Sequence, residues 1–370
     1  MANGFSLGML QMMSEVTKGA TPAYKLDPYG FLASLYTAHT PGSVKNDSYD
    51  GHFKTVKVKK KQRLTVADTS TSASCAIGSP IAYTEDTVSV ANYRQVAFHI
   101  ADETIAAFDS YASQQAMVSG MNPNPITGLM WEFMDDLRVA ANAVLQGVNQ
   151  DLITLAVANV GVNIVTGSSA STALNITNDA TKNYLSAGVT KLMADYKQNR
   201  MSGKPVIVGA GLMYNWFLQA AASTGSAFTG LDTRIQAAGM DFFLDYNVDG
   251  AIAGSTNDIL VYEPNAIQIV EYMKYQGFKA GPKPGGSQFG TLTLPIAGAD
   301  GTLVPVKFDY QLRYNDCDVT EGGVTYHKGY NMILSKNFGL YTIPTDAYKS
   351  GDVLAGNRGS LAYNVTNNAS

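Results

Sequence analysis

Six basic side chains crowd into ten positions: Lys54, Lys57, Lys59, Lys60, Lys61 and Arg63. Such a cluster can do three things. It can neutralise phosphates along a nucleic-acid backbone. It can keep an edge strand solvated and unpaired. It can also pair with acids such as Glu85, Asp86, Asp102 and Glu103 on an adjacent copy of the chain. A single-strand binder interleaves basic residues with stacking aromatics, and only Phe53 is near. The net charge of −4 gives no basic balance for tight, sequence-independent binding of nucleic acid. Pairing with a neighbour is the favoured reading, the solvated edge second and nucleic acid third.

The other chemistry-bearing residues are scattered. His39, His52, His99 and His327 have no second His or Cys at ligand spacing, and no His-Glu-x-x-His occurs. Gly209-Ala-Gly211 sits between a strand and a helix, as a dinucleotide loop would. Tyr214 stands where that loop needs its third glycine, so a close helix–strand turn is expected. There is no phosphate-binding Gly-Lys-Ser/Thr and no Gly-x-Ser-x-Gly elbow. The adjacent acids Asp135/Asp136 and Asp102/Glu103 point about 100° apart on a helix, which suits solvated or partner-facing acids better than a shared proton. Cys75 and Cys317 are too few and too far apart for a disulfide framework or a zinc site. The sequence nominates no catalytic residue, no cofactor and no metal ligand.

The elements that must position the lysines are plainer. Phe53–Val66 alternates in its first half and reads as a strand, Ala67–Ser74 as a loop tip, and Ile77–Val90 as a second strand. The pair forms a long hairpin with no apolar face of its own, marginal alone and in need of a partner surface. After a segment with helical spacing over Ala91–Ser119 comes one helix from Thr127 to Asn159, about 50 Å long. Its apolar stripe runs Leu129, Phe133, Leu137, Ala140, Ala141, Val144, Leu145, Val148, Leu152 and Leu155, interrupted only by Gly147. Residues 160–179 read as a Gly/Ser/Thr-rich loop.

An α/β stretch follows: a helix over Ala180–Asn199, stopped near Gly203, then strands at Pro205–Gly209, Phe242–Val248 and Asp258–Tyr262. From Thr291 the chain is all β, at Thr291–Ile296, Val304–Tyr314, Gly323–His327 and Asn331–Ser335. Residues 1 to about 45 show little periodicity and read as an arm that lies on something else. With 370 residues, 45% hydrophobic and 15% charged, the composition is that of a soluble folded protein with two or three core-bearing regions. No window approaches eighteen unbroken apolar residues, so no membrane span is expected. The first residues lack a basic n-region and so do not read as a secretory signal.

This order of elements resembles the major capsid protein of tailed bacteriophages, whose fold encapsulins share. The likeness is carried by the arm, the extended basic hairpin, the long helix, the α/β region and the closing β region. Lys204-Pro-Val-Ile-Val-Gly209 before an aromatic-containing helix is similar to that family's axial domain. Asn257-Asp-Ile-Leu-Val-Tyr-Glu-Pro-Asn-Ala-Ile267 is similar to its return into the peripheral domain.

The resemblance implies an α+β fold of six parts: an N-terminal arm (1–45), an extended loop (46–92), a peripheral domain (93–179) with spine helix 127–160, an axial domain (180–265), a peripheral β region (266–345) and a C-terminal tail (346–370). It implies a subunit that assembles with itself into pentamers and hexamers around double-stranded DNA, held on the inner face without sequence specificity. Scaffold, portal and decoration proteins are the implied partners, the virion the implied location and the host cytoplasm the place of assembly. The start of the chain implies a separate scaffold or an already mature N-terminus. Lys59, Lys60 and Lys61 are crosslink donors by location only. The alternatives are an encapsulin-like compartment, another virion structural protein, and an α+β enzyme with a dispersed site.

Overall fold

The computed structural model describes residues 29–37, 45–50, 55–61, 83–100, 126–167, 171–177, 184–210, 240–252, 258–264, 266–275, 287–297, 303–315, 317–321, 323–326, 328–343, 356 and 358–368. Within them the chain is a mixture of helices and sheets. Helix α1 spans Gly30–Thr37, followed by β1 (Lys45–Asp50), β2 (Thr55–Lys61), β3 (Tyr83–Ser89) and β4 (Asn92–Ile100). Next come α2 (Ile126–Ala158), β5 (Ser171–Thr177), α3 (Tyr184–Gln198), β6 (Val206–Gly209) and β7 (Asp241–Leu244). The remainder is strand: β8 (Asp258–Tyr262), β9 (Ile267–Tyr272), β10 (Ser287–Ala297), β11 (Leu303–Asn315), β12 (Val319–Glu321), β13 (Val324–Tyr326), β14 (Gly329–Thr342) and β15 (Ser360–Asn368). The chain divides into two compact units, one of residues 1–29, 92–150 and 271–338, the other of 30–91, 151–270 and 339–370.

The first unit is built on an antiparallel sheet in the order β10-β11-β14-β4, with β9 also beside β14. Directly opposed residues share a face, so register sorts the side chains. The rows Gln288–Leu312–Met332–Phe98 and Gly290–Tyr310–Leu334–Val96 lie on one face, mostly apolar. The rows Ser287–Arg313–Asn331–His99 and Thr291–Asp309–Ser335–Gln95 lie on the other.

Strand β4 replaces the start of the helix expected over Ala91–Ser119; residues 101–119 lie outside the described residues. Val96 and Ile100 are four apart, a spacing that fits a helical stripe and also falls on even positions of a strand. The alternation of inward Val96, Phe98 and Ile100 with exposed Gln95, Ala97 and His99 decides it.

The long helix is observed over Ile126–Ala158, 33 residues. Phe133, Leu137, Ala141, Val144, Leu145, Val148 and Leu152 are each at most 1% exposed, so the apolar stripe is the buried one. The outward row is Asp135, Asp136, Val139, Ala143, Gln146, Gln150, Thr154 and Ala158, acidic only near its start. Gly147 has a reason to be glycine. A Cβ there would stand 3.3 Å from Cδ of Arg94 on β4, so the Arg94 side chain runs against the helix at that point.

The second unit contains a five-stranded mixed sheet, β5-β15-β8-β6-β7. Strand β15 is parallel to β5 and antiparallel to β8, and β6 is antiparallel to β8 and parallel to β7. Residues 160–179, expected as loop, therefore contribute β5. Residues 346–370, expected as a tail, contribute a central strand. Leu174, Leu192, Tyr196, Met201, Ile207, Met240, Ile259, Val261, Leu361 and Tyr363 form one apolar cluster around this sheet. The strand expected over Phe242–Val248 stops at Leu244, because Asp245 caps a 3-10 turn over Tyr246–Val248 and accepts from the Asn247 N–H.

Helix α3 ends in a Schellman arrangement, with the Met201 N–H donating to the Tyr196 carbonyl and the Arg200 N–H to that of Lys197. Arg200 takes the left-handed position (φ 52), ahead of the Gly203 that the sequence suggests as the stop.

The expected arm also contains α1, and this helix is part of the second unit's core. Phe31 and Leu32 are fully buried, the Phe31 ring meets Tyr262 edge-on, and the Phe31 N–H donates to Asp245 Oδ2 at 2.9 Å. The Ser34 and Tyr262 hydroxyls share a 2.5 Å hydrogen bond. A Cβ on Gly30 would fall on the carbonyl oxygen of Leu244. Gly30→Ala should therefore cost about 2–3 kcal/mol, as overpacking against backbone does. A denaturant-midpoint change worth less than about 0.5 kcal/mol would count against this docking.

Candidate functional site

The basic cluster lies on β2, and β2 is the central strand of a three-stranded antiparallel sheet, β1-β2-β3. This corrects two expectations. The sheet is no two-stranded hairpin, since Lys45–Asp50 adds a strand. Nor do the lysines line an edge, because β2 is paired on both sides. Solvating an open edge is therefore not what they do.

Register places Lys59 opposite Glu85 on one side and opposite Lys45 on the other. Lys57 stands opposite Thr87, Lys61 opposite Tyr83, Lys60 opposite Thr84, and Val58 opposite Asp86. One face thus carries the positions of Lys45, Lys57, Lys59, Lys61, Glu85, Asp50, Thr55, Thr87 and Ser89. The other carries Val56, Val58, Val88, Tyr49, Lys60 and Asp86. On β3, Thr87 and Ser89 are exposed while Val88 is buried, so at that end the face that carries Thr87 and Ser89 is the outward one. Lys54 and Arg63 lie outside the described residues, as do Cys75, His39, His52, His327, Asp102 and Glu103. Sequence reasoning missed Lys45, which belongs to the same face. Its strand, Lys45-Asn-Asp-Ser-Tyr-Asp50, is too polar to announce itself.

Elsewhere the polar groups hold the fold together. In the second unit Asn199 donates to Asn163 Oδ1 at 3.0 Å and to the Asp195 carbonyl at 2.7 Å. Tyr363 donates to Asp195 Oδ2 at 3.1 Å, and Asn163 donates to Thr172 Oγ1 at 3.2 Å. Burial first, and the Asp195 charge second, push the Tyr363 phenol well above its usual range. A phenol held neutral against a carboxylate in a closed network is a structural bond.

In the first unit Lys336 is fully buried. Its Nζ lies 2.5 Å from Glu271 Oε1, donates to the Lys307 carbonyl at 2.9 Å, and sits 5.5 Å above the Phe308 ring. Asp309, also buried, accepts from the Lys274 and Tyr275 N–H groups at 2.7 and 3.2 Å. Burial raises its carboxyl above the usual value, against those two hydrogen bonds and the nearby Lys336 and Lys274 charges.

Among the described residues no three His, Cys, Asp or Glu side chains gather in a way that could hold a metal, and no helix is long and apolar enough to cross a membrane. His99 meets the Lys328 carbonyl through Nε2 at 2.6 Å, and Cys317 is an exposed free thiol. Asp135 pairs with Arg138 at 3.0 Å on the outer side of α2.

No protein family matches the sequence. No curated protein matches it either. Solved structures similar to it include chains from phages. One is the Cyanophage A-1(L) capsid asymmetric unit, at 13% identity and TM-score 0.46, covering 93% of this chain and 94% of that one. The capsid structure of Cyanophage P-SCSP1u is 13% identical at TM-score 0.42, over 89% and 87% of the two chains. A chain from Mycobacterium phage Adephagia is 7% identical at TM-score 0.45, over 95% and 97%.

Proposed function

We propose that this chain is the shell-forming subunit of a tailed-phage head, a major capsid protein that assembles with itself and carries out no catalysis. The observation that carries the reading is the charged sheet β1-β2-β3. Its strands hold only three valines and two tyrosines against five lysines and four acids, too little apolar surface for a small sheet to be stable alone. Such a sheet needs a surface to lie on, and many identical neighbours supply one. The 33-residue helix α2 fits the same role, because beyond the Asp135–Arg138 pair its fully exposed positions, Val139, Ala143, Gln146, Gln150, Thr154 and Ala158, carry no charge. A long solvated helix face is normally laced with charge.

On this reading, residues 46–92 are the extended loop, α2 the spine, the sheet of β10, β11, β14 and β4 the peripheral β region, and the sheet of the second unit the axial domain. Pentamers and hexamers of the chain close an icosahedral shell around double-stranded DNA inside the virion, assembled in the host cytoplasm with scaffold, portal and decoration proteins. No cofactor takes part. An encapsulin-like compartment uses the same subunit logic and differs in what the particles contain.

Deleting residues 55–88 tests the reading. The variant should remain soluble and cooperatively folded while forming no particles by sedimentation and negative-stain microscopy. Normal shells from the deletion would refute the intersubunit role given to the β1-β2-β3 sheet. A wild-type chain that stays monomeric with every helper supplied would refute the shell role itself.

A further inference from the structure

We propose that the Gly359–Ser360 peptide bond is a self-cleavage site, cut by the Ser360 hydroxyl acting on its own backbone. Ser360 opens β15 and is 1% exposed, and its Oγ has no hydrogen-bond partner. Buried hydroxyls are bonded in the large majority of cases, so an unbonded one calls for a reason. A serine Oγ reaches the carbonyl carbon before it by closing a five-membered ring. With no acceptor competing for it, this Oγ is a nucleophile held beside Gly359. The neighbouring turn bears on the same carbonyl. The Gly359 oxygen accepts from the Glu263 N–H at 2.9 Å, a donor that also stabilises an oxyanion formed there. Gly359 is left-handed (φ 70), and a Cβ on it would lie 3.0 Å from Glu263 Oε1, so the carboxylate stands against the scissile residue. Glu263 is only 4% exposed. Its Oε2 accepts from the Ser202 N–H at 2.7 Å and the Ser202 hydroxyl at 3.2 Å, and no cation pairs with it among the described residues. A buried carboxylate without a counter-ion is costly.

The step balances with water as the only co-reactant. Ser360 Oγ bonds to the Gly359 carbonyl carbon, the C–N bond breaks, and the Oγ proton passes to the Ser360 nitrogen. The product is an ester with a free α-amine. That amine takes a further proton from water and supplies the cation that Glu263 lacks. Water then cleaves the ester, which leaves a carboxyl on Gly359 and restores the Ser360 hydroxyl. The turnover is single and self-directed, so it is compatible with a shell subunit that acts on no substrate. Strand β15 stays bound after the cut, because it pairs with β8 from Ser360 to Asn364 and with β5 from Ala362 to Asn368. The cut is therefore silent in the folded chain and is seen only after denaturation.

The test incubates the purified full-length chain near neutral pH, with and without hydroxylamine, then denatures it and reads intact masses. A piece that begins at Ser360 should accumulate, and hydroxylamine should capture the ester as a hydroxamate on Gly359 and speed the loss of intact chain. Ser360→Ala should abolish the piece, and Ser360→Cys should keep it. Glu263→Gln, whose amide oxygen can still accept from Ser202, should slow its appearance by about tenfold or more. Circular dichroism of each variant should match the wild type. Three results would each overturn the proposal: a wild-type chain that stays intact in hydroxylamine, a piece beginning at Ser360 whose alanine variant releases the same cut, or a Glu263→Gln rate equal to the wild type. The hydroxylamine arm uses the unaltered chain, so it decides the matter even where a variant fails to fold.

Discussion

A chain truncated after residue 355 should fail to fold its second unit. The lost segment contains β15, which lies between β5 and β8 and holds both in place. It pairs with β8 from Ser360 to Asn364 and with β5 from Ala362 to Asn368. Among the described residues β15 is the partner that ties β5 into the sheet. Leu361 and Tyr363 are at most 1% exposed, and burying each such side chain contributes about 1.5–3 kcal/mol. Loss of Tyr363 also leaves Asp195 Oδ2, on a residue only 3% exposed, without that hydroxyl, a further cost of about 1–3 kcal/mol. Together with seven residues of parallel ladder, these losses rival the whole stability of an ordinary domain, about 5–15 kcal/mol. The truncated chain should therefore be insoluble or show no cooperative melting of this unit. A soluble variant with native circular dichroism and an unchanged midpoint would mean that β15 is dispensable. The conservative variant Tyr363→Phe separates burial from bonding and should cost only about 1–2 kcal/mol.

That strand is also where the sequence was least legible. Ser360-Leu-Ala-Tyr-Asn-Val-Thr-Asn-Asn368 has the alternation of a strand, but its polar end and its distance from β8 and β5 in the chain hide the pairing. Long-range pairing leaves no local mark. Helix α1 is hidden for a related reason. Gly30-Phe-Leu-Ala-Ser-Leu-Tyr-Thr37 is too short to display a period, and its place is fixed by Asp245, Leu244 and Tyr262, far along the chain. Helix α2 was legible because 33 residues repeat one apolar stripe, and a pattern that long has no competing reading. Strand β4 was misread because residues four apart satisfy both periods. The basic cluster was legible as composition. Its division into faces was not, because that depends on which residue of β3 meets which residue of β2, and a one-residue slip would exchange the faces.

Disrupting the Lys336–Glu271 pair should destabilise the first unit, and by unequal amounts from the two sides. The Lys336 side chain has no exposed surface, while that of Glu271 is 20% exposed. Glu271→Leu leaves a fully buried ammonium without its ion-pair partner, beside the Lys307 carbonyl and the Phe308 ring. The Asp309 carboxyl nearby is itself pushed toward the neutral form by burial, and a buried charge that loses its partner costs about 3–5 kcal/mol. Lys336→Met leaves a carboxylate that water can partly reach, and its thioether chain fills much of the same volume. That variant should cost less, about 1–3 kcal/mol.

The double variant should recover most of the Glu271→Leu loss, because an apolar pair carries no desolvation penalty. Equilibrium denaturation of the three variants measures this ordering, and a Lys336→Met loss equal to or above that of Glu271→Leu would contradict it. Asp309 adds a pH signature with a definite sign. Burial raises its folded-state pKa above the unfolded value, so its contribution to stability is fully present below about pH 4 and is lost as pH rises through the folded value. Asp309→Asn removes that titration. Its stability should fall less than that of the wild type as pH rises from about 4, although the amide accepts from only one of the Lys274 and Tyr275 N–H groups and so begins from a lower level. Removing Lys336 takes away a charge that lowers the Asp309 pKa, so Lys336→Met should carry the wild-type decline to higher pH.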